Sequence, residues 1–404
     1  MESNWMKVKL GDIVRINRGS SPRPIQDYIS TQGIPWVKIA DATASNTRYI
    51  TSTKECIKES GRSTTVYPGD LIVSNSATPG IPKIMAIEAC VHDGWLTIND
   101  YSGVDKLFLF YFFLDFRSRL EKKATGTVFN NLKTDTVKNL ELYLPPLPIQ
   151  QSIALILSSL DDKIELLREQ NKTLEDLAQA MFKRWFVDFE FPNENGQPFK
   201  SKGGKMVESE LGLIPEGWRV GRLTEIADFL NGVASQKYPP VPEVETLPVV
   251  KIRELSAGIS EQTDKASTMI DSKYIVDSGD ILFSWSGSLD VVIWMYGKGI
   301  LNQHLFKVSS NEFPKWFYFY WVKEHLDDFR QIATSKAVTM GHIQRHHLDD
   351  ALVVVPDAIN LGRFDSVLSC NLNKQILNNS ILLGTMRLRD TLLPELMKGA
   401  YEPS

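Results

Sequence analysis

Two segments of the chain place apolar residues in a sustained 4-3-4-3 alternation. This heptad pattern is typical of long helices that pair along an apolar seam. The first seam comprises Ile153, Leu157, Leu160, Ile164, Leu167, Asn171, Leu174, Ala178, Met181 and Trp185. The second, which is poorer in apolar residues, comprises Leu368, Leu372, Gln375, Asn379, Leu382, Met386, Arg389 and Leu393. The pattern predicts two long helices that pair with each other.

The segments before each seam alternate apolar and polar residues over short stretches, as in residues 12–16, and these stretches predict strands. Turns at Gly69 and Gly279 lead into apolar runs that also predict strands. Aromatic segments at 108–116 and 316–321 predict buried helices. Each half of the chain therefore has the pattern of a mixed α+β domain followed by a long helix.

The two halves also repeat a sequence. The motif Trp-x4-Leu-x2-Ile-x5-Gly begins at Trp5 and again at Trp218, 213 residues later. The run 34–39 returns at the same shift as 247–252. A period this long exceeds the 20–50 residues that are typical of solenoid repeats, and it indicates a duplicated domain.

The predicted fold class is α+β: two similar mixed α/β domains joined by two long antiparallel heptad helices, with a pseudo-two-fold internal repeat. Asn171 superposes on Asn379 when one seam is shifted onto the other by 208 residues. We expect these amides to meet near the pseudo-two-fold axis and to fix the helix register. The predicted boundaries are 1–146 for the first domain, 147–190 for the central helix, 191–215 for an exposed linker, 216–357 for the second domain and 358–404 for the C-terminal helix.

Composition narrows the class of protein. The 404 residues are 43% hydrophobic and 23% charged, which is ordinary for a globular protein. The net charge of −4 argues against a chain that holds nucleic acid alone by bulk electrostatics. The longest apolar run, 107–114, is too short for a membrane span, and residues 1–5 show no signal peptide. With three scattered cysteines, we expect a cytoplasmic protein with reduced thiols and no membrane partner.

Motifs for catalysis are missing from the sequence. We find no phosphate-binding Walker loop, no glycine motif for S-adenosylmethionine, no amino-methylation motif and no paired-acid nuclease site. The run His342-x3-His346-His347-x-Asp349 has metal-ligand residue types, but adjacent histidines point in different directions on a helix, so no metal site is expected. The chain is therefore predicted to be non-catalytic.

Several motifs occur together in one order. They are the domain openings 5–19 and 214–232, Leu-Pro-Pro-Leu-Pro-x-Gln at 144–150, Met-Phe-x2-Trp-Phe-Val-Asp-Phe at 181–189, and Leu-Leu-Pro-Glu-Leu-Met-Lys-Gly at 392–399. In this combination the chain resembles, over almost its whole length, the specificity subunit of type I restriction–modification enzymes.

The resemblance implies two target-recognition domains, each reading one half of a bipartite, asymmetric site in double-stranded DNA. It implies helices that set the gap and dock two methylation subunits, with restriction subunits joining through the methylation subunits. It also implies that this chain holds no cofactor, and that S-adenosylmethionine, ATP and Mg belong to those partners. The bases read and the spacer length do not follow from it, because the family has no fixed recognition motif.

Side chains that read bases must stand on polar loops at the DNA surface. The loop 124–132 matches a polar loop that lies near DNA in family members. Candidates in the first domain are Lys38, Ser74, Asn75, Ser76, Thr78, Thr125, Thr127, Asn130, Asn131 and Lys133. Candidates in the second are Lys251, Arg253, Ser284, Trp285, Ser286, Ser335, Lys336, Thr339, His342, Gln344 and Arg345.

Two other classes of function stay open at this point. One is a stand-alone two-lobed DNA methyltransferase or nuclease, which the missing motifs oppose. The other is a scaffold whose lobes bind proteins, which would show no DNA sequence preference.

Overall fold

The computed structural model describes residues 5–123, 132–335 and 341–401, with the backbone alone described for 120–123. It divides into two compact units. The first contains Met1–Leu166 and Leu382–Ser404, and the second contains Leu167–Ile381.

Within its described residues, the first unit contains three sheets, five α-helices that begin in it and the end of a sixth. β1 and β12 pair antiparallel; the other sheets have the orders β3-β6-β4-β10-β7 and β2-β11-β8-β9-β5. The strands are β1 Met6–Lys9, β2 Arg15–Arg18, β3 Ile29–Ser30, β4 Ile34–Val37, β5 Tyr49–Ile50, β6 Glu55–Ile57, β7 Thr65–Val66, β8 Leu71–Ser74, β9 Pro82–Met85, β10 Ala89–Val91, β11 Trp95–Asn99 and β12 Glu141–Leu144. The helices are α1 Leu10–Ile13, α2 Ile39–Ala44, α3 Lys106–Lys123, α4 Thr134–Lys138 and the long α5 Leu147–Phe182, whose last residues from 167 onward belong to the second unit.

The second unit repeats this arrangement. β15 and β24 pair antiparallel, and two sheets have the orders β16-β23-β20-β21 and β18-β17-β22-β19. The strands are β13 Met206–Ser209, β14 Gly212–Pro215, β15 Arg219–Arg222, β16 Asp228–Asn231, β17 Thr246–Val250, β18 Lys265–Ser267, β19 Ile275–Val276, β20 Ile281–Ser284, β21 Val291–Ile293, β22 Gly299–Leu301, β23 Leu305–Ser309 and β24 Leu352–Val355. The helices are α6 Leu223–Ile226, α7 Ile252–Ala257, α8 Lys315–Glu324, α9 Leu326–Ser335, α10 Arg345–Asp350 and the long α11 Ala358–Met397, whose residues from 382 onward belong to the first unit.

The internal repeat is therefore structural as well as sequential. β2-β11-β8-β9 in the first unit corresponds to β16-β23-β20-β21 in the second. In the other sheet of each unit, the parallel pair β4 with β10 corresponds to the parallel pair β17 with β22. The predicted fold class, two similar mixed α/β domains with long helices, is confirmed.

The repeated glycines have a common physical cause. A Cβ atom on Gly19 would lie 2.2 Å from the carbonyl oxygen of His92, and one on Gly232 would lie 2.2 Å from that of Asn302. The N–H of Gly19 donates to the carbonyl of Trp95, and the N–H of Gly232 donates to the carbonyl of Leu305. In each unit the first strand of the sheet thus passes too close to a neighbouring backbone for any other residue.

Each unit buries part of a long helix in its core. In the second unit, Phe182 and Phe186 pack against Trp321, with ring centroids 5.2 and 6.4 Å apart. In the first unit, Leu393 and Met397 from the end of α11 join the apolar cluster around α3. These aromatic and aliphatic residues explain why the motifs that end each helix are apolar.

The segment predicted as an exposed linker, 191–215, is structured. β13 and β14 form an antiparallel hairpin across residues 206–215. Phe191 is buried and stacks on Trp218 at 4.9 Å between ring centroids, and Ile214 is buried in the same cluster. The many polar residues of this segment favour an exposed linker, but apolar residues among them, such as Phe191 and Ile214, anchor it to the core of the second unit.

The amides of Asn171 and Asn379 meet as predicted. Asn171 Nδ2 donates to Asn379 Oδ1 at 2.7 Å, and Asn371 Nδ2 donates to the carbonyl of Leu174 at 3.1 Å. Rising numbers on α5 are matched by falling numbers on α11, so the pairing in the second unit is antiparallel.

The seam also holds a buried carboxylate. Asp161 belongs to the charged run 161–163, which is typical of a solvated helix face, but it is buried in the first unit. Its carboxylate accepts from the hydroxyl of Tyr111 at 2.7 Å and from Arg389 Nη1 at 2.8 Å. Arg389 is a charged residue at a position of the second seam where an apolar residue is typical. Its ion pair with the buried Asp161 explains why it stands there.

Candidate nucleic-acid interface

Three segments meet at corresponding places in the two units. In the first, the N–H of Asn75 donates to the carbonyl of Gly94 at 2.8 Å, and the N–H of Leu132 donates to the carbonyl of Asn75 at 2.7 Å. We call residues 75–80, 92–94 and 132–133 the first loop cluster. Segments after strands and between them converge here, which is where a scaffold can present variable side chains.

The second unit has the same two backbone connections between three segments. The N–H of Trp285 faces the carbonyl of His304 at 3.4 Å, and the N–H of Ile343 donates to the carbonyl of Trp285 at 3.0 Å. We call residues 285–290, 302–304 and 341–345 the second loop cluster. The backbone framework is therefore repeated along with the sheet.

Two of the predicted DNA-contacting residues have a different role. Ser74 and Ser284 are fully buried at the ends of β8 and β20. The hydroxyl of Ser74 donates to the carbonyl of Thr78 and accepts from the N–H of Ile81, and Ser284 bonds in the same way within its own loop. These serines hold the loops in shape. Since their hydroxyls are buried and already bonded, they are not placed to touch a base.

The first loop cluster surrounds a shallow cleft of about 400 Å³, lined in part by Arg23, Lys38, Ser76 and His92. Trp36 and Ile39 contribute an apolar floor. Asn75 lies behind this surface. It is buried, and its Nδ2 donates to the carbonyl of Asp93 at 3.2 Å. Thr78 is half-buried and Lys133 is exposed at the start of α4.

Charged groups at this cleft are organised by Asp93. Its carboxylate accepts from the hydroxyl of Ser21 at 3.0 Å and pairs with Arg23 at 3.3 Å and Arg18 at 3.7 Å. Partial burial acts to raise the pKa of Asp93, but the bond from Ser21 and the two arginines lower that pKa overall. Asp93 therefore stays ionised and aligns two guanidinium groups at the edge of the cleft.

His92 has a fixed tautomer when it is neutral. Its Nδ1 accepts from the N–H of Gly94 at 2.7 Å, so Nε2 carries the proton. Burial lowers the pKa of this imidazole, against the opposing charge of Asp93. At neutral pH His92 thus offers one N–H donor at the cleft.

The second loop cluster is built around an aromatic residue. Trp285 is half-buried, and its Nε1 donates to Oδ1 of Asn231 at 3.1 Å. Its ring lies 5.7 Å from that of His304 and 6.3 Å from that of His342, centroid to centroid. Ser286 is buried with its hydroxyl 3.0 Å from His304 Nδ1. Ring faces and amides dominate this surface, whereas ion pairs dominate the first.

The remaining described candidates lie at the edges of the second cluster or beside α7. Gln344 and Arg345 are exposed at the start of α10, and Ser335 is exposed at the end of α9. Arg253 pairs with Glu254 at 2.8 Å, and Lys251 pairs with Asp264.

Lys38 in the first unit is equivalent to Lys251 in the second, and it pairs with Glu55 at 2.6 Å. These three basic residues are therefore neutralised in the free chain and would have to exchange partners to meet a phosphate. Six candidates lie outside the described residues: Thr125, Thr127, Asn130, Asn131, Lys336 and Thr339.

Several residues at these surfaces are not among the candidates that the sequence predicts. Arg18 and Asn231 occupy equivalent positions, each directly before a repeated glycine. Asp93 and Gln303 are equivalent as well, on the turns 92–94 and 302–304. The sequence carries a signal for them, because these residues stand next to positions that are repeated in both halves of the chain and yet differ between the halves.

Across the described ranges, no group of three or more histidine, cysteine, aspartate or glutamate residues could hold a metal ion. All three cysteines are free thiols. Within the same ranges, no helix has the length and apolar character that crossing a membrane requires.

Comparisons with known proteins give a consistent result. The family model described as "Type I restriction modification DNA specificity domain" matches residues 2–176 and 215–378. The type I restriction enzyme MjaIX specificity subunit of Methanocaldococcus jannaschii is 26% identical, over 98% of this chain and 93% of that protein. The HindI specificity subunit of Haemophilus influenzae is 21% identical, over 98% and 99%. A crystal structure of a type I restriction–modification S subunit from M. genitalium shares the fold, with a TM-score of 0.59 at 16% identity, covering 98% of this chain and 96% of that one.

Proposed function

Because the chain belongs to the family of type I restriction–modification DNA specificity domains, we propose that it is the non-catalytic DNA-reading subunit of such a complex. Each unit reads one half of a bipartite site in double-stranded DNA. The observation that carries this proposal is the pair of loop clusters: one repeated framework presents different side chains at equivalent positions. Arg18 in the first unit corresponds to Asn231 in the second, and Asp93 corresponds to Gln303.

The chemistry of the two clusters suits base reading. Bases are distinguished by donors and acceptors at their groove edges, while phosphate contacts position the protein. The second cluster offers amides and imidazoles, and the first offers aligned arginines and a fixed imidazole N–H. Different half-sites follow from different donor and acceptor patterns on one scaffold.

The long helices are proposed to set the gap between the half-sites and to dock two methylation subunits. Large apolar side chains are exposed along them, among them Leu155 and Ile156 on α5 and Leu377 and Leu388 on α11. Exposed apolar residues in this number favour a protein partner. Methylation subunits would bring S-adenosylmethionine, and restriction subunits joining through them would bring ATP and Mg chemistry.

A stand-alone methyltransferase or nuclease is not favoured, because relatives named as specificity subunits match over nearly the full chain. The purified chain incubated with DNA and S-adenosylmethionine, or with DNA and Mg²⁺, tests this directly. We expect neither methyl transfer nor cleavage. Either activity in the chain alone would restore the enzymatic alternative.

The function itself is tested by mapping methylated positions on genomic DNA from cells with and without this chain, in the presence of its methylation subunits. We expect a bipartite methylated motif that appears only when the chain is present. A methylation pattern that is the same in both strains would contradict the proposal, and so would a continuous motif without a gap.

A further inference from the structure

The turn between β22 and β23 holds two side chains that bond to each other. Gln303 Nε2 lies 3.4 Å from His304 Nε2, and His304 Nδ1 lies 3.0 Å from the hydroxyl of Ser286. Ser286 is buried, and the ring of Trp285 lies beside the imidazole. His304 therefore connects a fixed hydroxyl to a half-exposed amide, and it restricts the plane in which that amide can lie.

The amide of Gln303 keeps a donor and an acceptor for a ligand in either orientation. If an N–H of the amide donates to His304 Nε2, the second N–H and the carbonyl oxygen remain. If the carbonyl accepts from a protonated Nε2, both N–H groups and a lone pair remain. Among the described residues, His304 is the side chain to which Gln303 bonds.

We propose that Gln303 reads an adenine in the half-site of the second unit, and that His304 is its positioning residue. The proposal rests on the DNA-reading function proposed above. Adenine shows an acceptor, N7, beside a donor, the N6 amino group, at its major-groove edge. An amide matches this pair with two hydrogen bonds. Guanine shows two acceptors there, and thymine shows one acceptor beside a methyl group, so neither can satisfy both amide groups.

The equivalent position in the first unit explains why the two halves would differ. Asp93 stands there, and as an ionised carboxylate it only accepts hydrogen bonds. Ser21 and Arg23 already occupy its oxygens. The first unit therefore lacks an amide at this place, and adenine reading through this turn is specific to the second unit.

The test maps methylated motifs for the intact complex carrying single substitutions in this chain. Gln303→Ala should relax one adenine of one half-site, with a loss of discrimination of roughly 5- to 150-fold at that base. Gln303→Glu should shift the preference at the same base toward cytosine, whose N4 amino group donates to a carboxylate. His304→Phe keeps a ring beside Trp285 but removes both bonds, and it should weaken discrimination at that base alone.

The matched control is Gln331→Ala, an exposed amide on α9 of the same unit. Its motif should equal that of the unsubstituted chain. Changes at several positions of the same half-site would overturn the inference, as would an unchanged motif for Gln303→Ala and Gln303→Glu. Exchanging residues 216–356 for the segment of a relative identifies the half-site that the second unit reads. If that half-site contains no adenine in the wild-type motif, the inference is also overturned. Each of these outcomes leaves the bipartite motif, and so the proposed function, intact. A wild type that directs no bipartite methylation would instead refute the proposed function.

Discussion

Lys83 is a basic residue enclosed within the first unit. Its Nζ donates to the carbonyls of Ser45 and Thr47, the first at 2.9 Å. Burial lowers the pKa of the amine to about 8, against the opposing charge of Glu165 and with a further lowering by Arg117. The unfolded chain has an ordinary lysine pKa of about 10.4, so between these two values the unfolded state binds more protons than the folded state.

The stability conferred by Lys83 should therefore increase with pH. The free energy of unfolding should rise between about pH 8 and pH 10, because the penalty for burying a charge disappears there. Lys83→Met should remove this rise. Between pH 7 and pH 9.5, the free energy of unfolding should increase by about 2 kcal/mol more in the unsubstituted chain than in the variant. Denaturant unfolding of both proteins at pH 7 and pH 9.5 measures it. Using the difference cancels the contribution of tyrosines such as Tyr101 and Tyr111, whose pKa values are also raised by burial. Parallel pH profiles would show that Lys83 is charged or exposed in solution.

Residues of this kind mark the limit of what the sequence can predict. The alternation of apolar residues predicted the helices, the strands and the meeting of Asn171 with Asn379, because periodicity reports directly on which face is buried. The role of Asp161 depends on Tyr111 and Arg389, which lie far along the chain. The role of Ser74 depends on how its own loop folds back onto its hydroxyl, and apolar periodicity reveals neither. Base-contact candidates were chosen as polar loop residues, and polarity alone does not separate a side chain that holds a loop from one that faces outward.

At the scale of elements, the paired helices carry amides where most of the seam is apolar. Asn378 is buried, and its Nδ2 lies 3.4 Å from Gln170 Oε1. The Oδ1 atoms of Asn171 and Asn378 have no partner among the described residues. The seam thus keeps polar groups at a cost in stability, which is the arrangement by which buried amides select one register in coiled coils.

Replacing one amide of the central pair should be worse than replacing both. Asn379→Leu strands Asn171 and should lower the free energy of unfolding by about 1–3 kcal/mol. The double replacement Asn171→Leu with Asn379→Leu should restore or raise stability. It should also loosen the register, seen as methylation at more than one spacer length. The control is Lys172→Leu, at an exposed position on α5 next to Asn171. A double variant less stable than the single one would refute this role.

The proposal that the long helices set the gap between the half-sites can be tested by lengthening them. Four residues inserted after Leu166 and four after Gly384 extend each helix by about 6 Å and turn it by about 40°. Asp161 is avoided because of its buried bonds. Since B-DNA rises about 3.4 Å per base pair, the gap in the methylated motif should grow by one or two base pairs, or methylation should be lost. Full methylation of the original motif would show that the helices do not set the gap.

At the scale of the whole molecule, the charge balance limits what the chain can do alone. Its net charge is −4, and the basic candidates Lys38, Lys251 and Arg253 are paired with carboxylates. Most non-specific affinity for DNA comes from phosphate neutralisation. We therefore expect the isolated chain to bind its site weakly at physiological salt, and the complex with methylation subunits to bind tightly. Titration of labelled DNA with each form measures this, and equal tight binding by the isolated chain would contradict it.

The central claim is that two similar units read two half-sites independently. Exchanging residues 216–356 for the corresponding segment of a relative with a different specificity, followed by mapping of methylated genomic positions, tests it most directly. The account predicts that one half of the motif changes to that of the relative, while the other half and the gap stay the same. A motif in which both halves change, or in which neither changes while methylation persists, would contradict it.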